Sequence, residues 1–147
     1  MANTYTQLLY HIVFSTKNRQ PMLDAIHRPE LFKYIWGIHK NMGCHLYRLG
    51  GVEDHIHLLT HMPTTLCIAD FVREIKTGSN HWMKTILPAF SGWQDGYGAF
   101  TVSYRERDEM IEYIKGQEEH HRKESYIEEY RRLLQVAGIV FNEKYLT

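Results

Sequence analysis

The stretch Gly50-Gly51-Val52-Glu53-Asp54-His55-Ile56-His57-Leu58-Leu59-Thr60-His61-Met62-Pro63 constrains this chain more than any other. From Val52 to Met62 it alternates as a β-strand does, with a Gly pair before it and Pro63 ending it. Successive strand side chains point to opposite faces, so His55, His57, Leu59 and His61 share one face. Ile56, Leu58 and Met62 share the other with Thr60, and that face is core-directed. Two imidazoles two residues apart project side by side and can converge on one metal ion. They equally suit the wet face of a half-covered sheet, so the motif needs partners elsewhere in the chain.

The elements around this strand set its context. Tyr5 to Ser15 is rich in β-branched and aromatic residues and predicts a first strand, and Thr16 to His27 a loop. A helix opens at Pro29-Glu30 and runs to about Met42, with Gly43 past its end. Cys44 to Leu49 predicts a second strand, which the double Gly turns into the histidine strand as a hairpin. Leu66 to Leu87 predicts a second long helix, with Gly78 inside it at a cost of about 1 kcal/mol relative to Ala. Pro88 to Gly98 is turn-rich, and Phe100 to Tyr104 predicts a fourth strand. Asp108 to Lys123 predicts a third helix and Ser125 to Ala137 a fourth, ending at Gly138. No repeat, low-complexity linker or boundary divides the chain, so residues 1–147 are expected to form one domain.

The order β-α-β-β-α-β with helices appended is the split, ferredoxin-like α+β pattern. It implies a four-stranded antiparallel sheet with two helices on one face and the first and third strands central. The histidine strand is then a rigid central platform. The sheet's other face is either covered by the appended helices or left open as a working surface.

Composition narrows the function classes. With 17 basic and 17 acidic residues the formal charge is zero, which counts against sequence-blind coating of DNA but not against a local basic groove. Cys44 and Cys67 have no metal-binding or redox spacing, so free thiols in a reducing compartment are expected. The first residues lack a basic run followed by an apolar one, and no apolar run is long enough to span a bilayer. A cytoplasmic protein with no membrane partner is the expectation.

The partner stretch lies in the third helix, Glu112-Tyr113-Ile114-Lys115-Gly116-Gln117-Glu118-Glu119-His120-His121. Tyr113 and Gln117 are four apart and share a helical face with Met110, while Ile111 and Ile114 form an apolar stripe alongside. By spacing alone Tyr113 is equally a packing residue and Gln117 a surface one. Together the two stretches resemble the HUH single-tyrosine transposases, the TnpA-type enzymes of insertion sequences that move as single-stranded DNA. Four blocks carry the resemblance in the family's order: Gly50 to Leu59, Lys76 to Trp82, Trp93 to Phe100, and Tyr113 to His121.

The resemblance implies that His55 and His57 ligate a divalent metal, Mg²⁺ or Mn²⁺, with Gln117 as third ligand. Two neutral imidazoles and an amide oxygen leave positions open for phosphate oxygens, and the nitrogen pair suits Mn²⁺ better on softness. It implies Tyr113 as nucleophile, in a transesterification that leaves a 5′-phosphotyrosine and a free 3′-hydroxyl. A hydrolase would need a water-activating base near the metal, and the two motifs offer none. The resemblance further implies recognition of hairpins near element ends, and a homodimer in which the tyrosine helix of one subunit completes the other's metal site.

Candidate DNA contacts are Lys76, Lys84, Arg105 and Arg107 near the second helix and fourth strand, and the run His120, His121, Arg122 and Lys123. Such a run also suits a solvated face. Three other readings stand beside the transposase: a domesticated, monomeric relative serving host repeat sequences, a hairpin-binding protein without catalysis, and an unrelated metal-dependent hydrolase.

Overall fold

The computed structural model describes residues 3–146; Met1, Ala2 and Thr147, the ends of the expected domain, lie outside it. Four strands form one antiparallel sheet: β1 (Leu9–Ser15), β2 (His45–Gly51), β3 (His55–His61) and β4 (Gly98–Val102), in the spatial order β2-β3-β1-β4. The first and third strands are therefore central, as the ferredoxin-like pattern requires. Between them run α1 (Arg28–Asn41) and α2 (Ile68–Ile86). After the sheet come α3 (Arg107–Lys115), the single turn α4 (Gln117–His120) and α5 (Tyr126–Val136). No helix among the described residues is long and apolar enough to cross a membrane.

The two faces of the sheet have different tasks. Ile12 and Phe14 of β1 and Ile56 and Leu58 of β3 point to one face and are buried under Leu31 and Ile35 of α1 and Phe71, Val72 and Ile75 of α2. Each such side chain contributes about 1.5–3 kcal/mol relative to exposure. Gly78 has a packing reason here: a Cβ on it would lie 2.8 Å from Ile38 Cδ1 of α1, so the glycine lets the two helices approach. The opposite face is covered, not open. Ile114 of α3 packs with Leu9, Leu59 and Val102, and Tyr126, Tyr130 and Leu134 of α5 pack with Val13.

Several expected boundaries move. The first strand starts at Leu9 rather than Tyr5, and the fourth spans Gly98–Val102 rather than Phe100 to Tyr104, where Ser103 and Glu106 instead form a capping box. A 3₁₀ turn at Lys17–Arg19 interrupts the loop expected there. The predicted helix 108–123 is broken at Gly116 into α3 and α4, because the glycine caps the first segment and starts the second.

The Gly pair is not the hairpin turn. Gly50 and Gly51 are the last residues of β2, paired with His57 and Ile56, and the turn is Val52 to Asp54. The pair serves close approach. A Cβ on Gly50 would lie 2.7 Å from the Ile114 carbonyl oxygen, and one on Gly51 would lie 2.4 Å from the His55 oxygen.

Candidate active site on the covered face

Strand β3 presents His55 and His57, both fully buried, to the layer formed by α3, α4 and α5. Neighbouring β1 adds His11, which sits beside them because His57 pairs with Val13 and His11 with Leu59. Tyr113 near the end of α3, Gln117 at the start of α4 and His121 just past it recur every fourth residue, and this face turns toward the histidines. Helix α5 is capped by Ser125, whose hydroxyl accepts from the Glu128 amide. That start directs Tyr126, Glu129, Tyr130, Leu133 and Leu134 inward, and Glu129 is fully buried among them.

The structure brings together the four residues singled out from the sequence for catalysis or metal: His55, His57, Tyr113 and Gln117. It adds His121, expected only as a DNA contact, together with Glu129, His11 and Arg132. One oxygen of Glu129, Oε1, lies 3.0 Å from His57 Nε2, 3.0 Å from His121 Nε2 and 3.3 Å from His55 Nε2. The Gln117 amide oxygen lies 3.2 Å from His55 Nε2 and 2.9 Å from His121 Nε2. The other Glu129 oxygen accepts from the Tyr113 hydroxyl and, at 3.1 Å, from the Gln117 amide nitrogen. Arg132 donates to the Tyr113 hydroxyl at 3.0 Å and grips both Glu124 oxygens at 3.1 Å. Among the described residues His55, His57, His121 and Glu129 place one ligand atom each within 4.8 Å of all the others.

Electrostatics follows from this burial. Desolvation opposes charge on His55, yet Asp54 and Glu129 raise its pKa to about 9. His57, with desolvation dominant, falls to about 4, and His11 falls to about 3 through burial and the neighbouring His57. Burial pushes Glu129 up, but hydrogen bonds from His121, His55 and His57 overcome it and hold the carboxyl far below its usual range. Burial and the Glu129 carboxylate push the Tyr113 phenol well above its ordinary value, against the pull of Arg132.

Donor chemistry fits a divalent ion. Buried imidazoles, an amide oxygen and a carboxylate are the ligands such ions take, and the carboxylate supplies charge compensation. The two motifs themselves offer no obvious base; α5, outside both, brings Glu129 to the predicted ligands.

The basic candidates are more scattered. His121 lies in the cluster itself rather than on a solvated run, and His120 is tied to Glu124. Arg122 and Lys123 are exposed beyond it, as are Lys84 on α2 and Arg105 in the turn after β4, while Arg107 stacks its guanidinium over Tyr104. Lys76 donates to the backbone oxygens of Gln94 and Gly96, and burial lowers its pKa to about 8. It lines a cleft of about 730 Å³ with Lys17, Trp93 and Lys144. The cleft reaches the histidines through Gln94, whose Oε1 accepts from Tyr126, the ring packed on His55.

Glu129, His11 and His121 left signals in the sequence. Glu129 occupies a core position of the α5 apolar stripe, His11 alternates with Leu9 and Val13 on one face of β1, and His121 extends the four-residue recurrence of Tyr113 and Gln117. Arg132 left none.

Comparisons with known proteins bear on the family and the fold. The family model described as "Transposase IS200 like" matches residues 4–117. A transposase candidate from Deinococcus radiodurans has a similar structure, with TM-score 0.65 and 27% identity over 80% of this chain and 95% of that one. A REP-associated tyrosine transposase bound to a REP hairpin shares the fold, with TM-score 0.59 and 14% identity over 79% of this chain and 70% of that one. No curated protein matches the chain. Since the family match spans both strand histidines, Tyr113 and Gln117, and far more than half of the sequence, the chain belongs to the IS200-like transposases.

Proposed function

We propose that this transposase cleaves and rejoins single-stranded DNA at element ends through Tyr113. The observation that carries the reading is the Tyr113 hydroxyl donating to one oxygen of Glu129 while the other oxygen faces three imidazole nitrogens. Nucleophile and ion site thus share one buried carboxylate.

In this mechanism His55, His57 and Gln117 would hold the ion. Such a divalent ion, Mg²⁺ or Mn²⁺, would supply Lewis-acid polarisation of the scissile phosphate and offset its charge. Tyr113 Oη attacks the phosphorus, the bond from phosphorus to the 3′-oxygen breaks, and the phenolic proton leaves along the hydrogen bond to Glu129. The 5′-phosphate is then an ester of Tyr113, and the other strand end leaves as a free 3′-hydroxyl once its oxygen is protonated. Arg132 steadies negative charge at Tyr113 Oη during attack. Rejoining reverses these steps on a new 3′-hydroxyl, so bond energy is kept and no nucleotide cofactor is needed.

Partners follow from this chemistry. Two cut ends must be exchanged, and a homodimer supplies two tyrosines. In the single chain Tyr113 stands beside its own His57, ring centroids 5.9 Å apart, so action in trans would require α3 to α5 to change subunits. Hairpin DNA is the substrate class, as for the REP-associated relative, whose structure holds a REP hairpin. Lys76 and its cleft are the first candidate path for the strand, with Lys84, Arg105, His120, Arg122 and Lys123 as outlying contacts.

The test is end-labelled single-stranded DNA spanning the flanks of the gene, incubated with Mn²⁺ or Mg²⁺ and run on a denaturing protein gel. The expected result is a labelled band at the mass of the protein, absent with Tyr113→Phe and with EDTA. Cleaved DNA without an adduct, unaffected by Tyr113→Phe, would mean that Glu129 activates water and that the protein is a hydrolase. A DNA-binding protein without catalysis would give neither product.

A further inference from the structure

The ligand set carried by the strand and Tyr113 helix motifs is two imidazoles and an amide. The structure holds more donors than that at the same point, and they come from sequence beyond the matched family segment, which ends at Gln117. His121 Nε2 and Glu129 Oε1 are 3.0 Å apart, and Glu129 Oε1 is equally close to His57 Nε2.

The far nitrogens of these rings decide what the near ones can do. His55 Nδ1 lies 2.7 Å from Asp54 Oδ1, and His121 Nδ1 lies 2.6 Å from the Glu124 backbone oxygen. A carboxylate and a carbonyl only accept, so in both rings Nδ1 carries a hydrogen and Nε2 is the nitrogen turned to the cluster, where it takes up either a proton or a cation. His57 Nδ1 lies 2.8 Å from His11 Nε2, and this contact fixes the orientation of the third ring whichever of the two nitrogens carries the hydrogen. Three Nε2 atoms therefore converge on one carboxylate oxygen in a buried site, and each contact is favourable only with a proton or a cation between nitrogen and oxygen. Protons bridge these contacts one at a time; one cation bridges all of them together. Rings held through their second nitrogen by a carboxylate, a carbonyl and another ring are the arrangement that orients metal-binding histidines.

Resting on the proposed ion-assisted reaction, we propose that His121 and Glu129 are metal ligands alongside His55 and His57. The site is then a three-imidazole, one-carboxylate centre built within one chain, with the Gln117 amide oxygen as a weaker neighbour. Its ion is an imidazole-preferring first-row cation such as Mn²⁺, Co²⁺ or Zn²⁺ rather than Mg²⁺, which favours oxygen ligands and keeps its waters. Glu129 thereby ties α5 to the sheet through the ion.

Metal binding itself tests this, independently of DNA cleavage. The full chain, stripped with EDTA and desalted, is titrated with Mn²⁺ while free Mn²⁺ is followed by its electron paramagnetic resonance signal, and Zn²⁺, Co²⁺ and Mg²⁺ are scored as competitors. His121→Asn and Glu129→Gln are each expected to weaken Mn²⁺ at least ~10-fold, in line with His57→Asn. His61→Asn, on the same strand face but outside the cluster, is expected to leave it unchanged. Zn²⁺ and Co²⁺ should displace Mn²⁺ at stoichiometric levels and Mg²⁺ only in large excess.

Circular dichroism in EDTA establishes that each variant folds; should Glu129→Gln not fold, His121→Asn carries the test. If both variants bind Mn²⁺ as the parent does while His57→Asn does not, the inference is overturned and the site reduces to His55, His57 and Gln117. The tyrosine reaction would survive that result, because the labelled adduct reports it separately. Equal competition by Mg²⁺ would overturn the assignment of ion class.

Discussion

Replacing Gly50 by alanine tests the coupling between fold and site most directly. Gly50 pairs with His57 across the β2–β3 ladder, and a Cβ on it would lie 2.7 Å from the Ile114 carbonyl oxygen and 2.9 Å from Ile114 Cγ2. The nearest obstacle is backbone, so a rotamer change cannot relieve it. Reaching ordinary van der Waals contact requires α3 to lift by roughly 0.7 Å. Overpacking of this kind costs about 1–3 kcal/mol, which for a chain of this size lowers Tm by roughly 3–10 °C. The residue pushed is the neighbour of Tyr113, and a displacement approaching 1 Å costs about 100-fold in rate.

Gly37 in α1 is the matched control, because a Cβ there meets nothing within 4 Å. Gly37→Ala is expected to stabilise by about 1 kcal/mol, since alanine is the better helix former. Calorimetry on both variants and the rate of adduct formation at saturating Mn²⁺ give the answer. A Gly50→Ala protein with the parent's Tm and rate would refute the claim that α3 lies against β2 in this register.

His57→Ala should abolish ion-dependent cleavage while leaving hairpin binding largely intact; in a gel-shift assay with folded protein, loss of binding would contradict its placement at the ion. Gln117→Ala should weaken both cleavage and ion affinity, and full activity at limiting ion would remove it from the ligand set. Folding stability should fall between pH 6.5 and 4 in EDTA, in part through His39, whose pKa burial lowers to about 4. Here the unfolded chain binds the proton first, so stability is complete above 6.5 and is lost as pH falls toward 4. The change is worth ~3 kcal/mol. Urea midpoints of His39→Leu, which removes the ring against Phe71, should vary less across that window than the parent's, and parallel curves would exclude His39.

The sheet was legible in the sequence because its signals are local and periodic. The alternation through His55 and His57 places every residue of β3 on the face where the structure has it, and the order of elements makes β1 and β3 central. What stayed illegible depends on residues far apart in the chain. Gly50 and Gly51 read as a turn, yet their reason is the backbone of Ile114 and of His55. Glu129 read as one more acid in a short amphipathic helix, and its partner His57 is 72 residues away. Only the inward stripe of Tyr126, Tyr130, Leu133 and Leu134 marks that acid as buried, and a stripe does not say what it faces.

The covered face of the sheet shows why such a residue must be explained by chemistry. Its core holds His11, His55, His57, Gln117 and Glu129, each at most 1% exposed, where the opposite face holds Ile12, Phe14, Ile56 and Leu58. Apolar residues in the first set would stabilise the fold more simply, since buried charge pairs rarely repay their desolvation. The cluster therefore works against the layer that encloses it, and α3 to α5 stay in place through Ile114, Tyr126, Tyr130 and Leu134 around its rim. A bound cation reverses that balance by giving the converging imidazole nitrogens and the carboxylate a common partner. Mn²⁺ should consequently raise Tm most in the layer that carries Tyr113, and hydrogen exchange should show α5 amides gaining protection while those of α1 and α2 change little. Uniform protection across all helices would place the ion's contribution elsewhere.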